Sequence, residues 1–531
     1  VFGLFELPWL LLGLIHAQTF TIWPGAWASW AWVVQLLTAG LLFKGIHQAA
    51  TPWCAFKRMG LFGWGQVSAV WWIFISLHRY GDVPAWLAVG VVLLGVGVLS
   101  LYGAGAAAGY RWLRGNLQTN KVDQWILWGA CCVLAELAKG TWFTGFPWLS
   151  WGYAHVDGPL AAFLPWVGVY GTSFIVALCS AALGHSWRVW FTGAGMLCAI
   201  AASLSMNLWR VTDLLPQEPA LSPAVPLLRV ALLQGNIDQG EKFNPQTGLP
   251  QAIHWYGHIW REKRSVDLVI TPETVLPILP RDLPPEVWAD WLGHWREAPH
   301  ATLLGTPWGD WRSGYFNSVL GFVPGFHQKE SVYSYRYDKH HLLPFGEFVP
   351  TGFAWFFHWL HIPLGSFERG VMLAPSFDWK GEHWAPLICV EDLFGEELAL
   401  RFRQPEQAPT VLVNLSNLAW FGDTVALEQH LLISRVRALE FARPFLRVTN
   451  TGVTALIDAQ GRVTARLPTN QAGVLEGTVQ GGRLLTPYAR WASHAGLWPL
   501  WGMMGGLVLL GTCWRWRFYA RRLKKALSVL K

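Results

Sequence analysis

Hydrophobic positions are distributed along this chain in two ways. Over residues 1–209 and 495–514 they form runs of about 20 residues, the length that crosses a bilayer core. Eight such runs are predicted to span a membrane: 4–22, 26–43, 59–78, 84–108, 122–140, 159–183, 187–209 and 495–514. The first is the least regular, since it contains Glu6, His16 and Gln18. From 228 the pattern changes to short β-branched runs at 228–235, 266–273, 301–307, 318–323, 385–392, 410–416, 445–450 and 453–459, which read as strands. Between them, 246–264, 284–297, 392–403 and 424–442 carry helical spacing, so strands and helices alternate as in a layered α/β domain. The Pro-rich stretch at 216–226 reads as a linker. The predicted organisation is seven transmembrane helices over 1–209, an α/β domain over 210–494, and an eighth helix with a basic tail over 495–531.

Composition agrees with this division. Only 14% of the 531 residues are charged, against roughly 25% in a soluble domain, and the deficit falls in the apolar runs. A disordered, collagenous or disulfide-scaffold protein is excluded. The net charge of +7 reflects topology. Lys44, Lys57, Arg58, Arg111, Arg114, Lys121 and Arg188 share one set of loops with the basic tail, whereas the opposite set holds only Arg79 and Lys139. Lys and Arg stay on the cytoplasmic side, so both termini are expected in the cytoplasm and 210–494 outside it. No basic, aromatic-interleaved groove suggests nucleic-acid binding.

Cysteine use sharpens the expectation. Cys389 is the one cysteine of the outer domain, and an unpaired thiol in an oxidising compartment is a liability unless chemistry requires it. Glu273 closes VITPE, Lys339 lies in RYDKHHLLPFGEF and Cys389 lies at the strand end in LICVED. Acid, base and thiol thus each fall at strand ends, where α/β sheets expose their active-site loops. Taken singly, a strand-end Glu or a loop Lys is usually a solvated residue. His340 and His341 follow the lysine, but no HExxH or CxxC spacing is present, so neither metal nor cofactor is expected.

The stretches LLQGNIDQ (232–239), TPET (271–274), YDKHHLLPFGEFVP (337–350), ICVEDLFGE (388–396), NLSNLAWFGD (414–423) and RALEFARPFLRVTNTG (437–452) resemble the nitrilase, or carbon–nitrogen hydrolase, superfamily. More closely they resemble its membrane branch, the apolipoprotein N-acyltransferases, and TGFPWLSWGYAHVDGPL (144–160) extends the likeness into the apolar part. The resemblance implies an αββα-sandwich domain and a Glu273–Lys339–Cys389 triad. It also implies a two-stage reaction. Cys389 would take the sn-1 acyl group of a phospholipid such as phosphatidylethanolamine, then pass it to the α-amine of a diacylglyceryl-cysteine on an apolipoprotein. Lys339 and the Val390 backbone N–H would stabilise the oxyanion. Glu347 and Glu391 match acidic positions near the site; on their own they read equally as an ion-pair partner and a helix N-terminal charge. Asn236 and Asn417 read as turn residues holding loops around the site. Thr271, Phe243, Val390 and Leu418 depart from the family pattern. The implied setting is a monomer in a bacterial inner membrane with a periplasmic catalytic domain.

Both substrates of such an enzyme are lipid-anchored. The segment 353–365 has more aromatic surface than a solvated loop tolerates, and it is expected to dip into the outer leaflet through Phe353, Trp355, Phe356, Phe357, Trp359 and Leu360; an amphipathic core helix is the plain alternative. Trp148 and Trp151 are expected along an acyl path or as interfacial anchors. Glu136 and Lys139, three apart on one helical face, read as an interfacial ion pair. Two rival functions are a membrane-tethered amidase with water as acceptor and a transporter with an outer binding domain.

Overall fold

A computed structural model of the chain describes residues 6–21, 30–115, 120–186, 227–242, 244, 246–327, 331–350, 352 and 367–529. The run at 187–209, the linker at 216–226, Phe243 and the aromatic segment 353–365 therefore lie outside the described residues. The chain forms two compact units. The first comprises Val1–Trp71, Val89–Thr212 and Ala495–Lys531; the second comprises Trp72–Ala88 and Asp213–His494.

The first unit is helical. Its elements are α1 (Leu7–Ala17), α2 (Ala31–His47), α3 (Pro52–Val67), α4 (Ala85–Arg114, from Val89 on), α5 (Lys121–Thr141), α6 (Leu164–His185) and a C-terminal helix, Trp498–Val529. Helix α3 starts where Thr51 accepts the Cys54 N–H at 3.1 Å and Pro52 occupies the first turn. Small residues let the helices approach closely. A Cβ on Gly13 would lie 2.1 Å from the Phe62 carbonyl oxygen, and one on Gly184 would lie 2.2 Å from that of Gly40, so α1 meets α3 and α2 meets α6 backbone to backbone. Outward positions such as Leu94 (69% exposed) and Leu101 (54%) are apolar, which suits a surface facing lipid.

Three helical stretches are long and apolar enough to cross a membrane: Ala85–Arg114, Lys121–Thr144 and Pro159–His185. Two broken ones, Pro52–Tyr80 and Pro487–Cys513, raise the count to five, while Leu7–Phe20 and Ala31–His47 are shorter apolar helices. The described residues thus give three to five candidate spans where eight were expected. The third run, 59–78, breaks after Val70 because its second half serves the other unit. There, Trp72 donates to Gln429 at 3.1 Å, Ser76 donates to the Trp420 carbonyl at 2.7 Å, and the Trp72 and Phe421 rings approach to 4.3 Å.

The second unit is built on two six-stranded sheets. Strands β1 (Leu228–Gln234), β2 (Leu268–Ile270), β3 (Ala301–Asp310), β4 (Gly314–Phe322) and β5 (Tyr335–Asp338) lie in one; β6 (Phe377–Trp379), β7 (Glu382–Ile388), β8 (Val411–Ser416), β9 (Phe445–Thr449), β10 (Ala455–Ile457) and β11 (Val463–Arg466) form the other. Strand β12 (Gly473–Val479) returns to the first, giving the orders β12-β1-β2-β3-β4-β5 and β11-β10-β9-β8-β7-β6. β1, β2 and β3 run parallel, as do β7, β8 and β9. These central strands are the near-continuous apolar runs of the sequence, as burial on both faces requires.

Helices α7 (Gly248–Glu262) and α8 (Pro285–Glu297) cover the first sheet through Tyr256, Trp260, Trp291 and Trp295, packed on Leu233, Val269, Leu304 and Leu320. Helix α9 (Ala426–Phe441) covers the second sheet and is buried nearly all round, polar residues included. The arrangement is an αββα sandwich. Every strand expected between 228 and 459 is present, though β3 runs past its expected C-terminal end and β4 and β7 begin before their expected starts; the helix expected over 392–403 is only Gly395–Ala399 followed by a 3₁₀ turn, and β5, β6, β11 and β12 were not anticipated. Strand β11 alternates half-buried with exposed positions and lies at a sheet edge, so it carries little hydrophobic signal.

Candidate active site

The nucleophile candidate sits where β7 ends. Cys389 has φ +55°, a left-handed conformation that costs a non-glycine residue about 1–3 kcal/mol. The chain turns there into a short 3₁₀ segment, Cys389–Leu393. The reason it holds is Glu391. Its carboxylate accepts the Ile388 N–H (2.7 Å), the Tyr337 hydroxyl (2.7 Å) and the N–H groups of His340 (2.7 Å) and His341 (3.1 Å). Four donors from two segments tie the cysteine turn to the loop that carries Lys339. Asn414 adds a bond to the Cys389 carbonyl at 2.8 Å.

Lys339, 1% exposed, lies between two carboxylates. Its ammonium is 2.8 Å from Glu347 and 3.8 Å from Glu273. Glu347 is steadied by the Leu343 N–H at 2.8 Å. Asn317, from β4, gives its amide N–H groups to Oε1 of both Glu273 (2.8 Å) and Glu347 (3.0 Å), holding two like charges beside one lysine. The second oxygen of Glu273 accepts the Asn417 N–H at 3.0 Å.

Charges set the proton affinities. Burial pushes Glu273 above the usual carboxylate range and Glu347 adds to this, while Lys339 opposes it. The Cys389 thiol is pushed up by burial and by Glu273, against the pull of Lys339. Burial alone would lower the Lys339 ammonium, but Glu347, Glu273 and Cys389 outweigh it and hold the charge firmly. A protonated thiol thus rests beside a carboxylate with raised proton affinity and a fixed cation. The arrangement suits nucleophilic attack in which the carboxylate takes the proton as the thiol reacts.

The structure therefore brings Glu273, Lys339, Cys389, Glu347 and Glu391 together. Val390 follows the cysteine inside the 3₁₀ turn and is 5% exposed. Trp148 belongs to the helical unit, is 2% exposed, and stacks on Phe146 with centroids 6.3 Å apart. Phe353, Trp355, Phe356, Phe357, Trp359 and Leu360 lie outside the described residues. Among the described residues no group of His, Cys, Asp or Glu has the form of a metal site.

Sequence comparison gives the same direction from independent information. Residues 10–182 match the family described as the apolipoprotein N-acyltransferase N-terminal domain, and residues 325–484 match the carbon–nitrogen hydrolase family. An apolipoprotein N-acyltransferase of Verminephrobacter eiseniae is 44% identical over 98% of both chains. The chain belongs to the apolipoprotein N-acyltransferase family. A relative of the same name from Ralstonia nicotianae is 42% identical, covering 96% of this chain and 92% of its own. Among solved structures, an amidase of the nitrilase superfamily from Nesterenkonia AN1 is similar at 15% identity and a TM-score of 0.38, covering 53% of this chain and 99% of that one. As a member of the family, the protein is an acyltransferase enzyme.

Several residues of the candidate site were not singled out in the sequence. Asn317 is a buried polar residue in an otherwise apolar strand, a signal that could have found it. Lys242 ends the one-turn helix Gln239–Lys242 after β1 and reads as a solvated charge, yet it is 1% exposed with Nζ 3.3 Å from the Glu273 carbonyl oxygen. Burial lowers its ammonium to about 8, partly offset by Glu273. Asn417, expected as a turn residue, contributes its backbone N–H to Glu273 and its amide to Gln239 at 2.6 Å.

Proposed function

We propose that this acyltransferase N-acylates the N-terminal diacylglyceryl-cysteine of apolipoproteins, using the sn-1 acyl group of a phospholipid such as phosphatidylethanolamine and a thioester on Cys389. One observation carries the reading: Cys389 occupies a strained turn within the field of a carboxylate of raised proton affinity, Glu273, and a charged, ion-paired lysine, Lys339. In the first stage the Cys389 sulfur attacks the ester carbonyl as Glu273 accepts the thiol proton. Lys339 and the Val390 N–H stabilise the oxyanion. Collapse breaks the ester C–O bond, Glu273 returns its proton to the leaving alkoxide, and lyso-phospholipid departs.

In the second stage the neutral α-amine attacks the thioester, and Glu273 takes one amine proton. The C–S bond breaks, the amide forms, and the proton passes to the departing thiolate. The thioester preserves acyl reactivity toward an amine, so the cycle consumes no nucleotide. Glu347 keeps Lys339 charged, and Glu391 keeps the nucleophile turn in register with it. We assign the apolar runs, the third only up to its break after Val70, to a bacterial inner membrane, with both termini cytoplasmic and the catalytic unit periplasmic from the Lys and Arg distribution. The aromatic residues of 353–360 are assigned to lipid contact from their sequence alone.

The test is the intact mass of the wild type and of Cys389→Ala after incubation with a phospholipid of defined acyl chains. A hydroxylamine-labile gain of one acyl group on the wild type alone, discharged as an amide onto a diacylated peptide with a free amine, is expected. An adduct that water discharges equally fast without amide product would make the protein a hydrolase and overturn the proposal.

A further inference from the structure

Three arginines meet at the C-terminal end of α2 in the helical unit. Arg58, from α3, donates through Nη1 to the Gly45 carbonyl at 2.6 Å. Arg111, in the last turn of α4, donates to the carbonyls of Ala49 at 2.5 Å and Ala50 at 3.2 Å, and Arg114 donates to that of His47 at 2.8 Å. The carbonyls of residues 45–50 thus gather guanidiniums from two other helices, all of them half-buried. Lys44 adds an exposed ammonium in the last turn of α2. Arg515, from the C-terminal helix, lies over the Trp112 ring at 4.1 Å.

A helix C-terminus attracts cations, but its charge is too small to account for this cluster. The terminus carries about −0.5 of an elementary charge against one full positive charge on each of three guanidiniums, so more than two positive charges stay uncompensated. Arg58, Arg111 and Arg114 form no ion pair among the described residues. Their donors are not exhausted either: Nε of Arg58 and Nε of Arg114 are buried without a hydrogen-bond partner. A guanidinium has five N–H donors in a planar fork that fits a phosphate. Like charges held together at half burial are costly unless an anion joins them.

The surroundings indicate which anion. Leu37 and Leu41 are exposed at i and i+4 on α2 and lead to Lys44 about one turn further on. Trp53, near the start of α3, and Trp112, beside Arg111, are exposed as well, as interfacial aromatics are. An apolar face that ends in cations matches an acyl chain that ends in a phosphate. We propose that this end of the helical unit binds the phosphodiester of an anionic phospholipid, with Arg58, Arg111 and Arg114 on the phosphate and an acyl chain along Leu37 and Leu41. A zwitterionic headgroup brings its own cation beside the phosphate and gains less from the arginines. The inference rests on the assignment of the helical unit to a bilayer. It is independent of whether Cys389 carries an acyl group.

Full-length Cys389→Ala protein, which has no thiol at the candidate active site, is titrated in detergent with phosphatidylglycerol, phosphatidylcholine or inorganic phosphate, and non-covalent adducts are counted by native mass spectrometry. Phosphatidylglycerol is expected to bind about tenfold more tightly than phosphatidylcholine, the worth of one charge-assisted contact, and inorganic phosphate should not displace it. Arg58→Gln together with Arg114→Gln should remove most of that preference. With the arginines intact, phosphatidylglycerol carrying a photoreactive headgroup should label peptides within 44–58 and 110–115. Equal binding of the two lipids, or labelling confined to the catalytic unit, would overturn the site without any arginine variant. So would a preference unchanged by the arginine substitutions, or displacement by inorganic phosphate. Retention of the protein in carbonate-washed membranes checks the bilayer assignment separately, so a failure of that assignment is told apart from a failure of the site.

Discussion

Two buried charge clusters act on the Cys389 turn, and their carboxylates behave in opposite ways. Glu273 is held by two neutral N–H donors, from Asn317 and Asn417, with Lys339 3.8 Å away and already engaged by Glu347. Its proton affinity is raised. Asp392, three residues after the nucleophile, accepts His430 Nε2–H and the Ser434 hydroxyl, both at 2.6 Å, with Arg447 at 3.7 Å. Burial alone would raise its proton affinity, but His430, Arg447 and Ser434 bring it below the usual carboxylate range. Arg447 also donates to His430 Nδ1 at 2.9 Å, so Nδ1 must accept and Nε2 must carry the proton. The difference teaches a rule for this fold. A carboxylate whose charge is matched by its own cation is committed to structure, whereas one that shares its cation keeps an appetite for a proton.

The comparison breaks if Glu273 proves to be structural or Asp392 chemical. Glu273→Gln should slow acyl-enzyme formation about 10²- to 10⁴-fold, the range for a general base, with little change in melting temperature; single-turnover mass spectrometry and thermal unfolding together check this. Asp392→Asn leaves Arg447 buried without its carboxylate and should cost about 3–5 kcal/mol of stability. Denaturant unfolding of the purified protein measures it, and an activity loss at full stability would reverse the assignment. Glu391→Gln keeps the shape of the turn's main acceptor but removes its charge, at about 1.5–3 kcal/mol per charged bond affected. It should lower kcat more than it raises KM, as read from steady-state acyl transfer. The smallest effect belongs to Lys242, whose ammonium lowers the Glu273 proton affinity. Lys242→Gln should move the acid limb of the acylation rate to higher pH and leave the plateau nearly intact.

The contrast also shows what a sequence can reveal. Glu273 and Cys389 were legible because each follows an apolar strand, and Lys339 because the motif around it, YDKHHLLPFGEF, is distinctive. The supporting charges were not. Asp392, His430 and Arg447 lie 38 and 17 residues apart in the chain and meet only because α9 packs on β9, while α9 itself carries little hydrophobic periodicity because polar pairs bury it on every side. Lys242 was hidden because a lysine's spacing says nothing about its burial. In the helical unit, i to i+3 spacing correctly put Glu136 and Lys139 on one face, but it did not show that each also bonds the backbone of the loop just after α5, Glu136 the Trp151 N–H and Lys139 the Trp148 carbonyl. The third apolar run misled in a different way: its composition suits a span, yet half of it packs on Trp420, Phe421 and Gln429.

The central claim is that Glu273 acts as base toward a thiol that is protonated at rest. The most direct test is the pH dependence of single-turnover acyl-enzyme formation on the wild type and Glu273→Gln. A raised carboxylate must lose its proton to work, so the wild-type rate should fall as pH drops through a value above the ordinary glutamate range and level off above it. Glu273→Gln should be slow throughout and lack that limb. An acid limb that persists unchanged in Glu273→Gln, at a rate near that of the wild type, would contradict the account.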